Sequence, residues 1–255
     1  MTGLEAVAIV AAGMAAGAVN AVIGSGSLIT FPTLLAVGFP PITANVSNNI
    51  GLVPGAMSGA FGYRRELEGQ ATRVRTLAVA SATGGLTGAV LLLRLPSQVF
   101  ASLVPVLVLL ACLLLALQPR LSRWVASRRA EDARDVGWVP MAIVFAAGIY
   151  GGYFGAAQGI ILLATLAVFV PDHLHRSNAV KNVLAGTVNG VAAVFFILFA
   201  DVDWTVVVLI ALGSVVGATL GARYGRRIPS TILRVAIIVL GVLVATKLIV
   251  AQLTG

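Results

Sequence analysis

Lys181 stands in an otherwise apolar stretch, with Asn178 one helical turn before it and Asn182 beside it. A cation flanked by amide donors suits an oxyanion, because the ammonium supplies charge and the amides supply directional hydrogen bonds. A lysine near a helix end can instead lay its stem along apolar surface and reach an interface; the residues alone leave both readings open. A second polar cluster, Asn45, Ser47, Asn48 and Asn49, is uncharged. Three asparagines in five residues are costly in an apolar medium unless they face protein or water. They read as the lining of a polar cavity.

Two glycine-rich breaks complete the candidates: Gly24, Ser25, Gly26 and Ser27, and then Gln158 with Gly159. Each opens a short apolar run that ends at a proline, Pro40 or Pro171. A broken helix presents backbone N–H groups and the positive end of its dipole, which bind anions without a formal charge. Glycines could serve tight turns alone, but that does not account for Ser25, Ser27 and Gln158, which are placed to cap the short helices. Pro32 inside the first short run removes a backbone hydrogen bond and predicts a kink.

What the chain lacks narrows the chemistry. All nine Asp and Glu lie at the N-terminus, in loops or in a central linker, and none lies in the interior of a long apolar run. Cation carriers ordinarily place carboxylates in their pathway, so their absence argues against cation transport. It also argues against a membrane-embedded hydrolase, which needs a nucleophile with its base or a set of metal ligands. His173 and His175 are the only histidines, and with Asp172 as the sole neighbour of suitable type they read as loop residues. Cys112 is alone in an apolar run. No cofactor and no metal are expected.

These residues must be positioned by membrane helices. The 255-residue chain is 59% hydrophobic and 10% charged, against about 25% charge in soluble domains. Runs of about 20 apolar residues recur, each enough to cross a hydrocarbon core. The alternating short segments and aromatic girdles of a barrel are missing. Apolar segments fall at 4–24, 27–39, 45–63, 76–94, 98–117, 138–157, 159–170, 178–200, 204–222 and 231–252, the second and seventh being short. The N-terminus has Glu5 and no basic region, so it reads as a retained span and not a cleaved signal. The net charge of +8 sits largely in short loops beside spans, an orientation signal that does not indicate nucleic-acid binding.

The chain repeats itself. Residues 24–40 match 155–171, Asn45 and Asn49 match Asn178 and Asn182, residues 84–89 match 213–218, and 95–97 match 228–230. Gly84/Gly88 and Gly213/Gly217 read as helix-packing pairs. If the short segments cross, each half crosses five times and the second half is inverted. Arg64, Arg65, Arg73, Arg75, the linker arginines (Arg120, Arg123, Arg128, Arg129, Arg134), Arg176, Arg223, Arg226 and Arg227 then share one side, opposite Asp201 and Asp203. That satisfies the positive-inside rule. The expectation is an all-α polytopic membrane protein, a helical bundle of two inverted repeats with about eight full spans and two short broken or re-entrant helices. The first repeat covers 1–118, a charged cytoplasmic linker 119–137 and the second repeat 138–255.

The segment GSGSLITFPTLL, followed by PPITANVSNNIGLVPG and GYRREL, resembles the TauE/SafE (TSUP) family of sulfite exporters, and the likeness extends through 155–159 and the NAVKN stretch. Ser25 and Ser27 depart from the glycine-richer form of the first motif. The resemblance implies a multi-pass transporter of the cytoplasmic (inner) membrane for sulfite, organosulfonates or related small organic acids. Its partners would be a small anionic substrate, the lipid bilayer and optionally a second copy of the chain, with no nucleic acid. A passive anion channel is the alternative.

Overall fold

The computed structural model describes residues 1–22, 24–126, 137–170, 174–224 and 230–254. Asp172, His173, Arg128, Arg129, Arg134, Arg226 and Arg227 lie outside the described residues. Within them the chain forms α1 (Gly3–Val22), α2 (Ser27–Val37), α3 (Pro41–Gly62), α4 (Ala71–Arg94), α5 (Ser97–Ala126), α6 (Trp138–Tyr153), α7 (Gln158–Phe169), α8 (Leu174–Phe199), α9 (Trp204–Tyr224) and α10 (Ser230–Thr254), with a 3₁₀ turn at Arg64–Leu67.

Local chemistry sets several of these boundaries. Gly38 ends α2 in the left-handed conformation at φ 100°, and its N–H closes onto Leu35. Pro41 opens α3 at a position where its missing N–H costs nothing. Asp203 starts α9 by accepting the Val206 N–H at 3.0 Å. The helix α2 is continuous through Pro32. The helix α5 runs to Ala126, so the segment after residue 118 begins as helix.

Six helices are long and apolar enough to cross a membrane among the described residues. The helix α3 is as long, at 22 residues, but its asparagines lower its hydropathy; it is surrounded by α1, α8 and α9. The helices α2 and α7 have 11 and 12 residues, about 17–18 Å, roughly half of a 30 Å core. Large apolar side chains such as Leu4, Leu113, Leu198 and Leu243 face outward, while small residues fill the helix contacts. That is the arrangement of a bundle in lipid, where helices associate through close backbone packing.

The directions of the helices follow from which residues meet. Met14 and Ala18 lie beside Gly217 and Gly221, and Gly51 and Gly62 lie beside Ile210 and Ala222, so α1, α3 and α9 are parallel. Likewise Gly84 and Gly88 lie beside Phe145 and Ile149, and Ser81 donates to the Leu184 carbonyl, so α4, α6 and α8 are parallel. A short connection at one face joins α3 to α4, which sets the two groups antiparallel. Because α1 and α3 point the same way, the chain between them must return across the bundle, and α2 carries that return. By the same reasoning α7 carries it between α6 and α8. Each half therefore runs as five helices of alternating direction and ends on the face opposite to its start, and the halves are inverted.

The halves are also interlocked. The first helix of each half packs on the fourth helix of the other, α1 on α9 and α6 on α4. Gly84 and Gly88 permit one contact and Gly213, Gly217 and Gly221 the other; a Cβ on Gly217 would stand 2.8 Å from Met14 Cα. Packing also corrects the repeat register here. Gly84 meets Phe145 as Gly217 meets Met14, so Gly84 corresponds to Gly217 and not to Gly213. Small residues one turn apart allowed that slip in the sequence comparison, and the packing partner removes it.

Candidate functional site

The two helix breaks meet inside the bundle. Gly24 and Gly155 occupy equivalent places and share a conformation, with φ 85° and 81°. Each donates its N–H to the carbonyl five residues back, Val19 or Tyr150, at 3.1 Å. A Cβ on Gly24 would stand 2.8 Å from Gly159 Cα and 3.3 Å from Lys181 Nζ. Only glycines fit this junction, and the lysine ammonium stands beside it.

Around the junction lies a cavity of about 40 Å³, room for about three waters at 10–15 Å³ each or for one small anion. Six of the residues expected from sequence line it: Gly24, Ser27, Gln158, Gly159, Lys181 and Asn182. The helix α3 contributes Gly55 and Gly59. Asn20 and Asn189 also line it and were missed. Asn189 was readable, because it continues the stripe Asn178, Asn182, Asn189 on α8 at helical spacing. Asn20 was a single polar residue in an apolar helix, with no repeat partner to mark it.

Lys181 is 1% exposed, so it does not extend to an interface. Its Nζ donates to the Asn20 carbonyl at 3.4 Å, one of the last carbonyls of α1, where a helix end is electronegative. Beside it the Asn182 Nδ2 and the Gln158 Nε2 are buried without a hydrogen-bond partner. The lining of one small cavity thus combines a lysine with two residues, Asn182 and Gln158, whose amide donors are unpartnered. Lys247, also within a long helix, is exposed and two turns from its helix end.

The other expected residues are placed elsewhere. Neither Ser25 nor Ser27 caps α2, and no side chain caps α7. Asn20 does the capping for α2 instead, accepting the Gly26 N–H at 2.6 Å, so that backbone donor is not available to a ligand. Ser25 is buried with its hydroxyl unpartnered, and Gly26 faces α1, where a Cβ would meet Asn20 Cγ at 2.8 Å. In the first-half cluster Asn45 donates to the Tyr153 carbonyl at 3.0 Å, Asn48 accepts from Thr30, and Ser47 accepts the Asp203 N–H at 3.0 Å. Asn49 does not line the cavity but donates to Asn189, which does, at 3.4 Å. Asn45, Ser47 and Asn48 seal the bundle toward the Asp201/Asp203 face, where Phe31 also meets Phe154 edge-on at 5.3 Å. His175 is exposed at the start of α8.

The cavity therefore lies on the basic side of the midplane. Lys181 is seven residues along α8 from that face, roughly 10 Å, and Gly59 is three residues from the end of α3.

Comparison with known proteins agrees with this architecture. The chain is 24% identical over 243 residues to a "Probable membrane transporter protein" of Haemophilus influenzae, covering 94% of this chain and 92% of that one. It is 26% identical over 239 residues to "Probable membrane transporter protein YfcA" of Escherichia coli K12, covering 92% and 86%. A "Probable membrane transporter protein ORF9" of Sinorhizobium sp is 25% identical over 235 residues, covering 92% and 88%. No solved structure matches the chain. The family described as "Sulfite exporter TauE/SafE" matches residues 9–248; a bundle of two inverted halves with paired helix breaks is thus a membrane transporter, and the chain belongs to the TauE/SafE family.

Proposed function

We propose that the protein carries a small oxyanion, of the sulfite, organosulfonate or short organic-acid class, by alternating access between its two inverted halves. The observation that carries this reading is that Lys181 lines one cavity with Asn182 and Gln158, whose amide donors are unpartnered, where the two helix breaks meet. A buried ammonium is unfavourable without a counter-charge, and among the described residues no carboxylate lines the cavity. An anion supplies the missing charge, and the amides complete its hydrogen bonds. The sealed acidic side and the cavity on the basic side favour a carrier over a continuous pore. The positive-inside rule makes the basic face cytoplasmic, which accords with a carrier of the inner membrane. No bond-making step is assigned to the chain.

The test is counterflow of labelled sulfite, sulfonates and carboxylates in proteoliposomes. A carrier gives saturable uptake that is accelerated by unlabelled anion on the opposite side. Linear, unsaturable flux would replace the carrier with a channel, and absence of flux for all three anion classes would remove the substrate reading.

A further inference from the structure

The repeat pairs Asn45 with Asn178, and the two side chains do the same thing in opposite halves of the bundle. Asn45, on α3, donates Nδ2 to the carbonyl of Tyr153, the last residue of α6, at 3.0 Å. Asn178, on α8, donates Nδ2 to the carbonyl of Ala21, next to the last residue of α1, at 3.4 Å. The last carbonyls of a helix lack intrahelical donors and need partners from outside. Each asparagine therefore caps the first helix of the other half, at the point where that helix gives way to its break.

The two contacts differ in a way that follows the cavity. The Asn45 contact is short and is reinforced by the Thr30–Asn48 hydrogen bond and the Phe31–Phe154 ring contact. The Asn178 contact is at the long end of hydrogen-bond range, the Asn178 Oδ1 is unpartnered, and it lies beside the cavity residues Lys181 and Asn182. The tight contact is on the sealed acidic side and the stretched one is on the side that holds the cavity.

We propose that Asn45 and Asn178 are paired positioning residues, clasps between the halves that tighten and loosen in opposition as the site faces one side and then the other. The inference rests on the alternating-access reading above. In the opposite state the Asn178 clasp shortens, the Asn45 clasp stretches, and Leu52, the repeat counterpart of Ala185, comes to line a cavity open to the acidic side.

The experiment uses the full-length chain with Cys112→Ala and reads one ratio. The numerator is the rate at which an impermeant thiol reagent labels Ala185→Cys from the basic face; the denominator is the rate at which it labels Leu52→Cys from the acidic face. Loss of one hydrogen bond changes a two-state ratio roughly two- to tenfold. Asn45→Ala lowers the ratio by that factor, Asn178→Ala raises it, and the double variant returns to within about twofold of the parent. Serine at the same positions is too short to reach the carbonyl and gives the same result if the alanine variants fail to accumulate. If the caps serve only helix stability, both single variants lose yield and the ratio stays unchanged or moves the same way in both, which overturns the proposal. Anion counterflow in the parent is scored separately. Counterflow with an unmoved ratio removes the clasps alone, and opposed ratios without counterflow remove the substrate reading alone.

Discussion

The two halves build the same junction from different residues. In the first, α1 carries a large polar residue, Asn20, and α2 begins with a small one, Ser27; Asn20 crosses to the Gly26 N–H. In the second, the equivalent of Asn20 is Gly151 and the equivalent of Ser27 is Gln158, whose side chain fills the space that a Cβ on Gly151 would occupy. The volume is conserved and its source is exchanged. The same holds one layer further in, where Asn48 and Lys181 are equivalent. Asn48 is paired with Thr30 and buried in the sealed half, whereas Lys181 is buried at the cavity wall. The repeat supplies the frame, and differences at a few positions leave a cavity on one side and hydrogen-bonded contacts on the other.

The comparison breaks most sharply at the glycines. Gly24 and Gly155 share a left-handed backbone, which alone costs a non-glycine residue about 1–2 kcal/mol. Gly24 also lies against backbone of the other half, with a Cβ 2.8 Å from Gly159 Cα, an overlap worth about a further 1–3 kcal/mol. A Cβ on Gly155 meets the Gly151 carbonyl oxygen at 3.1 Å, tight but within its own half. Gly24→Ala is therefore expected to lose roughly 2–5 kcal/mol and most of its monodisperse yield. Gly155→Ala is expected to lose only about 1–2 kcal/mol, read as the shift in Tm of purified protein. Equal losses at the two positions would mean that the contact between halves at Gly24 carries no weight.

On the proposed reading, Lys181 separates the halves by function. Replacing it with Gln removes one charge-assisted contact, roughly 1.5–3 kcal/mol, or about ten- to a hundredfold in anion affinity; Lys181→Arg keeps part of it. Asn48→Ala, at the equivalent place, is expected to leave affinity within about twofold and to lower thermal stability through the lost Thr30 contact. Affinities measured on purified variants decide the matter. A Lys181→Gln protein that binds like the parent would move the site away from the second half.

The order of the helices and the repeat could be read before any coordinates, because apolar length and motif order are properties of the chain itself; whether Lys181 is buried or reaches an interface could not. Which of two equivalent polar clusters is closed could not. Asn45, Asn48 and Asn49 have the composition of a cavity lining, and the same amides serve equally well as bonds across a sealed contact. Only their partners, Tyr153, Thr30 and Asn189, distinguish the roles. Capping by Ser25 and Ser27 was a fair local expectation, overridden because Asn20 on the preceding helix reaches Gly26 first. The register of the glycine pairs failed for a related reason: a one-turn shift preserves small residues and changes only what they touch.

The smallest effect tests the shared frame. Ser81 and Ser214 are equivalent in the corrected register and make equivalent contacts between halves. Ser81 donates to the Leu184 carbonyl at 3.0 Å, and Ser214 donates to the Gly51 carbonyl at 3.1 Å. Their own carbonyls face Gly148 and Gly17, so each serine sits where three helices meet. Hydrogen bonds between membrane helices average about 0.6 kcal/mol and reach about 1.7 kcal/mol, because the separated helices find other partners in lipid. Ser81→Ala and Ser214→Ala are each expected to cost that amount. The two values should agree within about 0.5 kcal/mol, whereas the Lys181 and Asn48 variants part by at least a factor of five in affinity. The serines are 0% exposed in both halves, so neither substitution opens a path to water, and reversible unfolding in mixed micelles can compare the two directly. A cost above about 2 kcal/mol for one serine and none for the other would show that the asymmetry extends beyond the site into the packing frame. The exchange of volume at Asn20 and Gln158 would then be one sign of two halves that have drifted apart throughout.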